Sequence, residues 1–260
     1  MLFRSQLAKA DVVFLGETHT DETTHRIELA VYQGLLARRK GQVALAMEMF
    51  ERDVQATLDA YLRGEIDEAT FLKQSRPWEN YRSAYRPLIE LAKKSKTPVV
   101  ASNFPRPLRM KMSMEGDQVL EKLEGDQKGQ APEQLLTNPD SYWRRVDNAV
   151  RGHAGMMRET DRLHSTQSLW DNSMGESCAK ALDRYPGHSV LHVNGDFHSQ
   201  YWEGTVHQFR QRKPKAIVKT ISVSTATNPN TVELQGAPIA DYVIVAESRA
   251  ADLNEGTWSV

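Results

Sequence analysis

Two segments of this chain end alike, and together they restrict the fold more than any other feature. Val12-Val13-Phe14-Leu15 runs into Gly16-Glu17-Thr18-His19, and Val190-Leu191-His192-Val193-Asn194 runs into Gly195-Asp196-Phe197-His198. Each is a short apolar run, then glycine, an acid, one residue and a histidine. An apolar run this short, closed by glycine, reads as a strand buried on both faces, and such strands belong to parallel sheets covered by helices. Each Gly-acid-x-His turn is expected to open a helix. In open sheets of this kind ligands bind beyond the carboxyl ends of the strands, where both turns fall.

The rest of the chain fits that architecture. Helical spacing over about 20–39, with Ile27, Val31, Leu35 and Leu36 on one side, follows the strand at 11–15, and Gly41 is expected to end it. A second apolar run at 43–49 completes a strand-helix-strand unit. Helical patterns at 52–62, 66–74 and 79–95 precede a third strand at 98–102. A helix-rich block follows at about 106–185, broken near 124–140 by Gly, Gln, Pro, Asn and Asp, which predicts a mobile surface loop. Further strands are expected at 189–194, 216–223 and 241–247, with a helix at 199–211 and a turn at Asn228-Pro229-Asn230. The reading is one α/β domain over 1–260. It is a three-layer α/β/α fold with a mostly parallel central sheet and helical insertions at approximately 51–95 and 106–185.

Composition removes several function classes. Of 260 residues, 40% are hydrophobic and 26% charged, ordinary for a globular domain. Lys plus Arg number 33 and Asp plus Glu 34, so no global charge draws the chain to nucleic acid or an anionic membrane. The single cysteine, Cys178, rules out an internal disulfide or a cysteine-based zinc cluster, and reads as a small buried hydrophobe. No apolar run is long enough to span a bilayer. The first ten residues lack a secretion signal's apolar stretch and read as the end of an amphipathic helix.

Four strand ends carry polar groups. Glu48 lies in an otherwise apolar strand, where a carboxylate requires a partner; Asn103, with Arg106 just beyond, follows the third strand. If these strands are neighbours, Glu17, His19, Glu48, Asn103, Asp196 and His198 converge, with His25, Arg106 and Asn194 beside them. Imidazoles and carboxylates together suit a divalent metal or acid/base chemistry. The plainer alternative is that acids after strands cap helices. His192 reads as a hydrogen-bonded core histidine, and His188 and His207 as surface residues.

These residues bring a family into view. The chain resembles the ChaN-like haem-binding proteins, within the wider group of TIKI proteases, TraB-type proteins and erythromycin esterases. The likeness rests on Leu15-Gly16-Glu17-Thr18-His19 with His25, Met47-Glu48-Met49-Phe50, Pro77-Trp78 with Tyr81 and Tyr85, Asn103-Phe104-Pro105-Arg106, the segment 167–174, and Leu191 to Ser199. The paired Gly-x-x-His signature is its core. The resemblance implies an α/β/α core with a helical insertion, and two functions. One is haem binding in iron acquisition, often by exported, periplasmic or lipid-anchored proteins, although this chain shows neither a signal peptide nor a lipidated cysteine. The other is hydrolysis, with His19, Glu48 and His198 as the catalytic or metal centre; from their place in the strand-end cluster, Asn103 and Arg106 are then expected to stabilise a developing anion.

The residues leave the haem ligand open. Met110, Met112, Met114, Tyr142, His153, Met156, Met157 and His164 all carry groups that hold haem iron, but methionines at helical spacing also fill cores. His153 and His164 share a face if one helix runs through both. No Cys-x-x-Cys-His occurs, so any haem is non-covalent. A haem pocket shared by two subunits is a further expectation, with Trp78, Trp143 and Tyr201 as aromatics available to a homodimer interface.

Overall fold

The computed structural model describes residues 2–151, 160–233 and 236–249. A six-stranded sheet forms the middle layer. Its strands are β1 (Val12–Glu17), β2 (Val43–Glu51), β3 (Val99–Asn103), β4 (Ser189–Gly195), β5 (Val218–Ala226) and β6 (Tyr242–Glu247), in the order β3-β2-β4-β1-β5-β6. Every pairing is parallel. All six expected strands are present.

Alternation along the strands builds two cores. Val13 and Leu15 of β1, with Leu45 and Met47 of β2 and Val193 of β4, face one layer. That layer contains α1 (Leu2–Leu7), α2 (Glu22–Arg38), α3 (Gln55–Arg63), α4 (Glu68–Ser75) and α5 (Arg86–Ser95). Val12 and Phe14, with Ala44, Ala46 and Val190, face the other. There the chain forms α6 (Arg106–Glu115), α7 (Gln118–Glu121), α8 (Gly125–Gln130), α9 (Asp140–Arg151), α10 (Thr160–Arg184) and α11 (Gly204–Arg212). Alanines on β2 let α10 lie close to the sheet, and Cys178 of α10 is a buried part of that core. Among the described residues no helix is long and apolar enough to cross a membrane.

Several local expectations are corrected. Neither Gly-acid-x-His turn opens an α-helix. Gly16 and Glu17 remain in β1, and α2 starts later, capped by Asp21, whose Oδ1 accepts from the Thr24 amide at 2.9 Å. Asp196–His198 form a 3₁₀ turn, Gln200–Trp202 another, and α11 begins only at Gly204. Tyr201 and Trp202 take left-handed backbone conformations there. They are held because the Tyr201 amide donates to Ile239 O at 2.7 Å and Trp202 Nε1 to Asp241 at 3.0 Å. The expected helix at 79–95 divides into a π turn, Tyr81–Tyr85, and α5. Pro87 has no amide hydrogen to continue a regular ladder across that boundary.

The predicted loop near 124–140 is instead helical at Gly125–Gln130 (α8), and the stretch after it is a tethered arm. Arg52 donates to Ala131 O at 3.1 Å, Glu176 accepts from the Glu133 amide at 2.8 Å, and Asn172 accepts from the Leu136 amide at 2.9 Å. Polar side chains on β2's exit and on α10 thus satisfy a backbone that has no secondary-structure partner. His188 and His207 are half-buried rather than surface residues.

Candidate functional site

The internal echo has a packing cause. β1 and β4 are adjacent and parallel, with Gly16 opposite Asn194 and Glu17 opposite Gly195. Each glycine makes room for the other turn. A Cβ on Gly16 would sit 2.1 Å from Asp196 Oδ1 and 2.8 Å from Asp196 Cα. A Cβ on Gly195 would sit 2.8 Å from His19 Nε2 and 3.6 Å from Glu48 Oε2. The two turns interlock, and only glycine lets them.

Beyond these strand ends lies a cavity of about 650 Å³. His19, Glu48 and His198 line it, together with Asn103 and Arg106 from the expected set. Phe104, Arg109, Trp78 and Trp170 complete much of its wall. Glu48 is the carboxylate that required a partner, and its Oε2 accepts from the Gly195 amide at 2.7 Å. His198 Nε2 stands 3.9 Å from Glu48 Oε1.

Both histidines are held from behind by a buried acid. His19 Nδ1 donates to Glu17 Oε1 at 2.6 Å, and Tyr85 OH donates to the same oxygen at 2.8 Å. His198 Nδ1 donates to Asp171 Oδ1 at 2.8 Å. Asp171, fully buried in α10, also accepts from Thr205 Oγ1 at 3.1 Å, Asn138 Nδ2 at 3.3 Å and Tyr142 OH. Each ring therefore keeps its proton at Nδ1 and turns Nε2 toward the cavity. Asn80 donates to the His19 carbonyl at 2.6 Å, and Trp78 packs edge-on to the His19 ring at 4.8 Å.

The electrostatics follow from these contacts. Burial disfavours a charged His19 ring, but the Glu17 hydrogen bond and charge outweigh it and its pKa rises. Burial likewise opposes charge on His198, and Glu48 and Asp171 overcome it, so that pKa rises too. Glu17 is held well below the usual carboxylate range: burial pushes up, and hydrogen bonds from His19 and His25 prevail.

Other expected site residues fall outside the cavity wall. Glu17 and His25 lie beneath it; His25 Nε2 donates to the His19 carbonyl at 3.1 Å. Asn194 is buried within β4, where its Nδ2 donates to Gly195 O at 2.8 Å and to Ser199 Oγ at 3.1 Å. Asp196 turns away, its Oδ2 accepting from Ser222 Oγ at 2.7 Å. Arg106 is partly committed to Glu51, with its Nε 3.0 Å from Oε1. His19, Glu48 and His198 do not gather their ligand atoms into one metal-sized group; among the described residues, Glu17, His25 and Glu28 do. His192 is the expected core histidine, with Nδ1 donating to Asn194 Oδ1 and Nε2 accepting from Ser102 Oγ, both at 3.0 Å.

The remaining candidates divide. Met112 is core, whereas Met110 and Met114 are exposed. Tyr142 is buried on Asp171. His164 stacks on Trp143 with ring centroids 4.5 Å apart and bonds Asp147 at 2.6 Å. His153, Met156 and Met157 lie outside the described residues. Trp78 is a cavity wall and Trp143 is half-buried, so of the three aromatics assigned to an interface only Tyr201 is exposed. Sequence reasoning missed Asp171, Trp170 and Arg109. The signal for the first was available in the i, i+4 pair Gln167 and Asp171, two polar residues on one face of a helix with an apolar interior.

An open parallel α/β fold with a histidine-carboxylate cavity at its strand ends defines a class of ligand-handling proteins. Within it, the chain belongs to the family described as haem-binding uptake, Tiki superfamily, ChaN, whose profile matches residues 3–209. No curated protein matches the chain. Among solved structures it is similar to ChaN of Campylobacter jejuni with cofacially bound haem, at 17% identity and TM-score 0.69, over 93% of this chain and 89% of that one. It is also similar to the type III effector HopBA1, at 10% identity and TM-score 0.52, over 95% and 92%. A mutant of erythromycin esterase EreC in its open conformation matches at 12% identity and TM-score 0.52, over 86% and 68%. At these identities the likeness is one of fold.

Proposed function

We propose that this protein binds haem in the strand-end cavity and serves haem or iron acquisition. The observation that carries the reading is the cavity's combination of groups. Two imidazoles present Nε2 between flat aromatic walls, Trp78 and Trp170, and the Arg106 and Arg109 guanidinium groups stand at the rim. The volume of about 650 Å³ lies in the range of small-molecule and cofactor sites. Imidazole nitrogen is a haem-iron ligand, and guanidinium suits carboxylates such as the propionates of haem. Arg109 already lies over the Trp170 ring at 5.6 Å and, unlike Arg106, pairs with no carboxylate among the described residues. His19 and His198 would hold the iron and Arg109 the anionic edge; bound haem would supply redox-active iron as cargo. On this reading the haem site lies at the strand ends rather than in the helical block. An exported or lipid-anchored location remains part of this reading through the family resemblance, and a homodimer through the exposed Tyr201.

The test is a haemin titration of haem-free protein beside the double variant His19→Ala/His198→Ala. A saturable Soret shift in the wild type that the double variant lacks supports the site. An unchanged Soret band in the double variant moves haem elsewhere, and no binding in either ends the reading.

One observation favours a second reading, acid/base hydrolysis. Both imidazoles are carboxylate-backed at Nδ1 and face one cavity beside Glu48, an arrangement that suits a general base and a general acid. Ester hydrolysis that disappears with His19→Ala or Glu48→Gln would support it.

A further inference from the structure

Beneath the cavity floor three groups converge, of which only Glu17, through its bond to His19, serves either reading. Glu17 comes from β1, His25 and Glu28 from α2, and all three are buried. One ligand atom from each lies within 4.8 Å of the others. We propose that Glu17, His25 and Glu28 form a separate buried site for a divalent transition-metal cation.

The distances suit ligands around one metal ion. His25 Nδ1 lies 3.2 Å from Glu17 Oε2 and 3.3 Å from Glu28 Oε2, almost equidistant from two carboxylates. Charge-assisted N–H···O bonds run at about 2.7–2.9 Å. The two imidazole-carboxylate pairs of the cavity are that short, at 2.6 and 2.8 Å. Two ligands held at about 2.1 Å from one ion in tetrahedral geometry lie roughly 3.4 Å apart. The spacing around His25 Nδ1 is that of ligands sharing an ion.

The hydrogen-bond pattern agrees. His25 Nε2 donates to the His19 carbonyl at 3.1 Å, which leaves Nδ1 as the ring nitrogen that faces the two acids. A backbone carbonyl accepting from the far nitrogen is the usual support of a metal-bound imidazole. Glu17 is oriented the same way: Tyr85 OH and His19 Nδ1 both donate to Oε1, and Oε2 is left toward His25. Beyond the 3.2 Å approach of His25 Nδ1 to Glu17 Oε2, the buried Glu17 Oε2 and Glu28 Oε1 have no hydrogen-bond partner among the described residues. A divalent cation bound there would compensate two carboxylates removed from water. The mixed oxygen and nitrogen donors suit zinc or manganese. The three ligands span β1 and α2, so an ion would be captured as these elements dock. This site does not rest on the haem reading.

The test uses the full, haem-free chain. Metal content is measured after native dialysis against EDTA, and again after unfolding in chelator and refolding with or without Zn²⁺. The expected result is about one equivalent of metal retained natively, lost on unfolding, and recovered with Zn²⁺ together with a Tm higher by at least about 5 °C. Glu28→Gln, which keeps the side-chain volume, should abolish retention, while the triple variant His19→Ala/Glu48→Gln/His198→Ala should preserve it. If Glu28→Gln fails to fold, zinc-edge absorption of the wild type decides, since this site supplies one histidine. Less than about a tenth of an equivalent with an unmoved Tm overturns the proposal. A two-histidine signature, or metal lost in the triple variant and kept in Glu28→Gln, places the ion in the cavity and also overturns it.

Discussion

Replacing Asp171 with alanine tests how the site is held. The carboxylate is fully buried and accepts from His198 Nδ1, Thr205 Oγ1, Asn138 Nδ2 and Tyr142 OH. Truncation leaves these donors in a site closed to water, and removes the anion that favours a charged His198. Breaking one side of a buried charged pair costs about 3–5 kcal/mol. For a chain of this size each kcal/mol lowers Tm by roughly 2–4 °C, so calorimetry should show a fall of about 6–20 °C. Asp171→Asn keeps the volume and one acceptor oxygen but aims an amide hydrogen at one of the donors. It should lose less stability and should lower the His198 pKa, read by histidine NMR titration, because the charge is gone. A Tm for Asp171→Ala within about 2 °C of wild type would refute the view that this acid anchors the α10 side of the cavity.

The two glycines should respond differently to alanine. At Gly16 the new Cβ meets backbone, Asp196 Cα at 2.8 Å, so about 1–3 kcal/mol of stability should be lost in denaturant unfolding. At Gly195 it meets the movable His19 ring at 2.8 Å, so the fold should persist while haemin affinity falls about tenfold or more, or roughly 1.4 kcal/mol. His192 sets an acid limit. Burial pushes its pKa down to about 3, against a small upward pull from Asn194, so it folds neutral. Below pH 6.5 the unfolded chain takes up the proton more readily. The stabilisation is therefore complete above that pH and is lost as pH falls toward 3, by about 3 kcal/mol at pH 4.5. His192→Gln should flatten the stability profile over that window, and an equally steep profile would contradict the assignment.

The sheet was legible because its strands are short apolar runs, and Val12 to Leu15 or Val43 to Met47 admit few other readings. Glu48 announced itself as a charge in such a run. The segment after β4 misled because tertiary contacts decide it. Asp196 to Trp202 has no strong local signal against helix, yet the pull of Ile239 and Asp241 sets left-handed turns at Tyr201 and Trp202. The arm that follows α8, within 124–140, misled for a related reason. Its Gly, Gln and Asn composition is that of a loop, and its order comes from Arg52, Asn172 and Glu176, distant in sequence.

The support of the cavity was the least legible part, and the geometry shows why. Along β1 side chains alternate between layers, so Val13, Leu15 and Glu17 share one face, and the acid behind His19 comes from the strand itself. The turn after β4 sends Asp196 the other way, to Ser222 on β5, and the acid behind His198 comes from α10. The motifs match as Gly-acid-x-His, but only the first supplies its own carboxylate. Their shared acid therefore has two meanings: Glu17 orients a histidine, whereas Asp196 packs on Gly16 and locks the neighbouring turn. A repeat in sequence fixed the positions of the two imidazoles and of the glycines that let them approach. It could not fix which acid serves which ring, because that depends on the layer each side chain faces.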